Sequence, residues 1–212
     1  MAPSKRLDQD ALSRVLERQL DVIARHQALA VGMTNHALAH RLRSGGPWRI
    51  LLPGIYLAAT GAPTTLQQEM AALLYAGDGS VITGPAALRC HHIRTDPSDV
   101  VDVLVPASRQ RLNQAFVRLH RTTRLPSRTW RAGPVRYTLL PRAVADTVRD
   151  MTSLRDVRAV VADAVRQGNC PVPDLMEELT AGPNKGSALF REALTDVAQS
   201  HSGQDQLVDG AT

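Results

Sequence analysis

Lysine is nearly missing from this chain of 212 residues: Lys5 and Lys185 are the only two among 25 basic side chains. A nuclease of the PD-(D/E)xK type needs clustered carboxylates for Mg²⁺ and a lysine two residues after one of them. Neither lysine follows such an acid, so that chemistry is not expected. Aromatics make up 3% of the chain, which leaves the core to leucine, valine, isoleucine and alanine. The two cysteines, Cys90 and Cys170, are too few for a disulfide framework and fit buried thiols in a reducing cytosol. There is no apolar run of about 18 residues, the length that signals a membrane-spanning helix, and the first 15 residues lack the apolar core of a secretory signal. The expectation is a cytoplasmic protein with no membrane partner.

Acid is also missing, but only in places. No Asp or Glu occurs from Val22 to Gln68, and none from Arg109 to Arg142, a stretch with nine arginines. Residues 1–145 carry a net +10 and residues 146–212 a net −5, within an overall +5. Positive charge without interleaved acid suits a polyanion, because phosphate contacts dominate nucleic-acid affinity. An arginine-rich, lysine-poor composition also arises from codon bias alone. For the Arg109–Arg142 stretch, pairing with the acidic C-terminal helices competes with nucleic-acid contact.

The hydrophobic spacing predicts an α+β chain. A first helix runs from a cap at Asp8 or Asp10 to about Gln19, with Leu12, Val15, Leu16 and Leu20 on one face. Asp21-Val22-Ile23 reads as an extended link. A second helix spans Ala24 to Val31 and stops at Gly32. Thr34 caps a third helix that ends by Ser44-Gly45-Gly46. Two β-rich arms then meet at Pro53-Gly54. Three helices and a hairpin within about 55 residues is the plan of a winged helix-turn-helix. It is placed at residues 8–60, with Gly61-Ala62-Pro63-Thr64 as the boundary. Residues 64–200 read as a mixed α/β domain. It has strands near Ser80–Thr83, Val100–Val105, Ala115–His120 and Val135–Leu140, and it closes in helices from Ala143 onward. Residues 201–212 read as a disordered tail.

On the third helix a rotation of about 100° per residue puts Leu38 and Leu42 inward. Asn35, His36, Ala39, His40 and Arg43 fall on or near the opposite face, and Arg41 on the flank. Asn can pair with adenine, Arg with guanine or phosphate, and Ala leaves room for a thymine methyl. Arg49 on the first arm suits a phosphate contact. The expected DNA-binding set is Thr34, Asn35, His36, His40, Arg41, Arg43, Trp48 and Arg49, against double-stranded DNA. Three other readings stand beside it. The face is an ordinary solvated one; His36 and His40 bind a metal, for which no further ligands lie near in sequence; or Trp48, Ile55 and Tyr56 simply close the small core.

Other chemistry finds little support. Gly79-Ser80 leads into a strand rather than a helix, and Asp99 and Asp102 fall on opposite faces of a strand, so a nucleotidyltransferase metal site fails on geometry. In Arg89-Cys90-His91-His92 the three candidate ligands are adjacent rather than two to four residues apart, which fits a core cysteine beside surface histidines. No hydrolase elbow, Walker loop or dinucleotide fingerprint occurs. The expectation is a non-enzyme with no cofactor and no metal.

The segment QALAVGMTNHALAHRLRSGGPWRILLPGIYL resembles the N-terminal domain of AbiEi-type antitoxins of type IV toxin–antitoxin systems. The matching pieces are Leu42-Arg43, Gly45, Trp48-Arg49 and the Pro53-Gly54-Ile55-Tyr56 wing. The segment LQQEMAALLYAGDGSVITGPAALRCHHI and the strand VDVLVP, followed by arginines, resemble the family's second domain. The likeness spans roughly residues 10–150 and is stronger in the wing. It implies an autorepressor that binds inverted repeats in its own operator through the winged helix. It also implies an antitoxin whose counterpart is a nucleotidyltransferase toxin, neutralised without a stable complex. Some relatives carry a C-terminal nuclease-like domain; the expectation here is a chain that stops before it, either a shortened member or a truncated reading frame. The alternative is a non-catalytic scaffold that binds protein or RNA, a shortened relative of winged-helix nuclease-like proteins.

Overall fold

The computed structural model describes residues 6–168, 170–184 and 186–208. Among the described residues the chain is mixed α+β with two sheets, and it packs as two compact units. The first comprises residues 1–82, 103–125 and 131–136; the second comprises residues 83–102, 126–130 and 137–212.

In the first unit, α1 (Gln9–Arg18) starts where the Asp8 carboxylate accepts the Ala11 N–H at 2.9 Å, satisfying one of the orphan donors of the first turn. Leu12 is buried, with Val15 and Leu16 packed beside it at helical spacing. β1 (Val22–Ala24) is buried throughout, and α2 (Arg25–Ala30) follows directly. The turn into α3 (Asn35–Leu42) needs Gly32. Its φ is +89°, and a Cβ there would sit 2.5 Å from the Arg6 carbonyl oxygen. The Thr34 hydroxyl caps α3 by accepting the Ala37 N–H at 3.1 Å. β2 (Arg49–Leu52) and β3 (Ile55–Leu57) form the hairpin around Pro53-Gly54.

The segment Asp21-Val22-Ile23, expected as a mere extended link, contributes instead to a strand. β1 pairs antiparallel with β3, Ile23 opposite Tyr56, giving a three-stranded sheet of order β1-β3-β2. Three residues are too short to show an alternating pattern; the partner more than 30 residues away supplies the ladder bonds. The core beneath this sheet joins Leu12, Ile23, Ala28, Met33, Leu38, Trp48 and Tyr56. α4 (Thr65–Ala76) packs on all three strands, and the Gln67 side-chain amide donates to the Leu20 carbonyl at 3.1 Å.

The second sheet has the order β6-β5-β4-β8-β7. Its strands are β4 (Val81–Thr83), β5 (Val101–Pro106), β6 (Val117–Thr122), β7 (Trp130–Ala132) and β8 (Val135–Tyr137). β7 was not expected; it is three residues long and is closed onto β8 by the Gly133-Pro134 turn. The strand expected over Val135–Leu140 stops at Tyr137, because Pro141 fits the first turn of α6 (Leu140–Val148) and pulls the helix start forward.

In the second unit α5 (Gly84–Cys90) packs on α6, which also meets α7 (Leu154–Gln167) and α8 (Val172–Ala181). α9 (Ser187–Val208) packs on α7 and α8. The helix therefore enters the stretch 201–212 that was read as a disordered tail. No proline occurs there, and Gly203 alone is not enough to stop a helix. Residues 209–212 lie outside the described residues. Among the described residues no helix is long and apolar enough to cross a membrane.

Candidate nucleic-acid interface

The outward face of α3 is built by its inward one. Leu38 is buried and Leu42 half-buried, so the helical repeat turns His36, Ala39 and His40 fully outward. Arg43, just past the last turn, and Arg49, first residue of β2, are exposed as well. Among the described residues no carboxylate pairs with any of these side chains, which follows from the acid-free stretch around them.

Asn35 opens α3 and is exposed, yet it is not idle. Its side-chain oxygen accepts a hydrogen bond from Arg25 Nη2 at 2.7 Å. A bidentate adenine contact needs both the oxygen and the NH₂ of Asn, so reading adenine here would require Asn35 to exchange Arg25 for the base. Arg25 itself, absent from the expected set, sits at the start of α2 with its own backbone N–H donating to the Gly54 carbonyl at 2.7 Å. One arginine thus ties the first turns of α2 and α3 to the hairpin tip. Its partners lie 10 and 29 positions away, beyond the reach of any local pattern.

Two residues of the expected set belong elsewhere. Trp48 is 8% exposed and belongs to the core, against Leu38 and Tyr56, so it cannot reach a base edge. Arg41 is half-buried: its guanidinium lies 5.7 Å from the Trp48 ring centroid and donates to the Ala37 carbonyl at 3.3 Å. The Arg41 carbonyl also accepts the Trp48 N–H at 3.1 Å. Together they brace the link from α3 to β2. Gly46 is needed in that link, since a Cβ there would fall 2.2 Å from the Arg41 carbonyl oxygen. Thr34 remains exposed, but its hydroxyl is engaged as the cap.

Ile50 was not singled out, yet it is 64% exposed, on β2 beside Arg49. The ladder slips between Ile50 and Leu52, and a bulge of this kind re-aims the side chains next to it. The run RILL hides this, because all three apolar residues look equally buried in sequence.

Of the arginines from 109 to 142, Arg142 pairs with a carboxylate, that of Asp146. Arg109, Arg111, Arg121, Arg131 and Arg136 pair with none among the described residues; the C-terminal acids Asp163, Glu192 and Asp196 are taken by Arg166 and Arg158. Arg121 and Arg131, which fall outside the strands expected at Ala115–His120 and Val135–Leu140, lie on β6 and β7.

The second unit holds a buried polar knot around Asp146. Asp146 accepts from Arg142 Nε (2.8 Å), Thr83 Oγ1 (2.7 Å) and Arg149 Nη1 (2.9 Å), which occupies both of its oxygens. His91 Nε2 lies 2.9 Å from the Thr138 carbonyl, so the histidine expected on the surface is bonded into the fold. Cys90 is half-buried; Cys170 is buried, and burial, with a smaller effect from the Asp174 charge, pushes its thiol up to about 12. Among the described residues no three His, Cys, Asp or Glu side chains converge as a metal site. No protein-family profile matches the chain, and no curated protein matches it.

Proposed function

We propose that the chain is a transcriptional regulator that binds double-stranded operator DNA through a winged helix-turn-helix at residues 8–60. The observation that carries this reading is the exposed face of α3, free of acid and of carboxylate partners, beside a hairpin that presents Arg49 and Ile50. In this arrangement α3 enters the major groove. His36, His40 and Arg43 face base edges, with Asn35 at the helix start. Arg49 takes a phosphate, and Ile50 offers an apolar contact to a sugar or a thymine methyl. The sequence likeness around Leu42-Arg43, Trp48-Arg49 and Pro53-Gly54-Ile55-Tyr56 supports the further role: a cytoplasmic antitoxin and autorepressor of a type IV toxin–antitoxin operon. Its counterpart would be a nucleotidyltransferase toxin, with no stable complex between them.

The test is a fluorescence-anisotropy titration with duplex DNA from upstream of the chain's own gene, repeated between about 50 and 200 mM salt. Each lost phosphate contact reduces the slope of log affinity against log salt by about 0.9, so in the double variant Arg43→Ala, Arg49→Ala the loss of Arg49 should reduce it by about 1 and the loss of the Arg43 base contact should weaken binding further. A double variant with unchanged affinity and slope overturns the assignment.

A further inference from the structure

A cavity of about 400 Å³ lies within the first unit, and none of its lining residues belongs to α3. Four arginines line it: Arg109, Arg111, Arg131 and Arg136. Met70, Leu73 and Leu74 of α4 supply apolar lining, and Asp78 is the single acid.

The arginine side of the cavity is organised by hydrogen bonds. Arg109 Nη2 donates to the Asp78 carbonyl at 2.8 Å. Arg121 donates to the Arg109 carbonyl (2.8 Å) and the Arg111 carbonyl (3.1 Å), fixing the backbone that carries both side chains. Arg111 lies over the Tyr75 ring, 4.7 Å from its centroid, and the Tyr75 hydroxyl donates to the Leu112 carbonyl at 3.0 Å. Arg131 and Arg136 have no carboxylate partner among the described residues and leave their planar donor forks for a ligand. Four guanidinium groups gathered against a single carboxylate still repel one another, and an anion with several oxygens relieves that repulsion through bidentate bonds.

We propose that this cavity binds a nucleoside phosphate, with its phosphates on the arginines and its base and sugar against Met70, Leu73 and Leu74. The volume falls in the range of small-ligand pockets, about 300–1,000 Å³. A nucleic-acid strand is the poorer fit. Strand-binding grooves offer exposed aromatic faces for successive bases, whereas the Tyr75 ring is covered by Arg111 and, among the described residues, the His26 imidazole is the one aromatic ring in the cavity lining.

The full chain is titrated with a fluorescent ADP analogue at low salt. The expected result is saturable one-to-one binding, displaced by ADP and not by adenosine. Arg131→Gln with Arg136→Gln should weaken it about 100-fold, two charged hydrogen-bonding partners being lost, with an unchanged circular dichroism spectrum and melting temperature. Arg43→Ala with Arg49→Ala should leave ADP binding intact, so this proposal and the DNA reading fail independently. Four results overturn it: no saturable binding by the wild-type chain, a folded glutamine variant that binds as well, displacement by inorganic phosphate as effective as by ADP, or tighter displacement by a short DNA or RNA oligomer. If the double variant does not fold, the wild-type arms decide alone.

Discussion

Asp146→Asn isolates the charge at the centre of the second unit without changing its volume. The Asp146 side chain is 5% exposed and that of Arg142 is 9% exposed, so both charges have left water; Arg149, at 25%, keeps partial access. Asparagine keeps one carbonyl oxygen for Thr83 or for one arginine. It also turns an N–H₂ toward donors that need an acceptor. The dominant cost is breaking the buried Arg142–Asp146 pair, about 3–5 kcal/mol by comparison with other broken buried pairs. Whole domains are stable by about 5–15 kcal/mol, so this is about a fifth or more of a typical total. A chain of this size loses about 2–4 °C of melting temperature per kcal/mol, which predicts a fall of about 6–20 °C. Calorimetry gives the melting temperature, and urea unfolding with an unchanged slope shows that stability, not compactness, has changed. Arg142→Met combined with Asp146→Leu should recover much of the loss, because apolar replacements of a buried pair are often neutral. A loss of less than about 1 kcal/mol for Asp146→Asn is what an exposed pair gives, and it would refute the view that burial makes this knot costly to break.

Two further outcomes are expected. Trp48→Ala should lower stability by about 3–5 kcal/mol in urea unfolding while the salt slope of DNA binding stays that of wild type under folding conditions; a fully stable variant with weakened DNA binding would return Trp48 to the contact face. Cys170 should resist a thiol reagent at pH 8 in the native chain while Cys90 reacts, and both should react in denaturant. Because the native Cys170 thiol is raised from 9.0 to about 12, the folded state holds that proton longer than the unfolded one. Its contribution to stability is present below pH 9 and lost as pH rises toward 12, so any melting advantage over Cys170→Ala should narrow above pH 9.

What the sequence makes legible here is local. Asp8 and Thr34 announce their helices because a cap acts within three residues. Pro53-Gly54 announces its turn because φ above zero favours glycine. The inward and outward faces of α3 follow from Leu38 and Leu42 alone. What escapes depends on distant partners. β1 is a strand only because β3 returns beside it. Trp48 and Arg49 are neighbours, yet one is core and one is exposed, a division set by where the sheet meets α3. Arg25 gains its place from Asn35 and Gly54, and the arginine-lined cavity gathers positions from Met70 to Arg136 that share no local pattern.

The tie at Arg25 bears on how a long rigid partner would be met. A hairpin free to swing would have to be ordered at the moment of association, at an entropic cost for each backbone residue held. Here the Gly54 carbonyl is already hydrogen-bonded to the residue that grips the first turn of α3. Helix and hairpin therefore keep one spacing before any partner arrives. If the proposed DNA reading holds, that spacing acts as a ruler: a duplex whose groove width matches it would be engaged at two places at once, and one that does not would have to deform to be held.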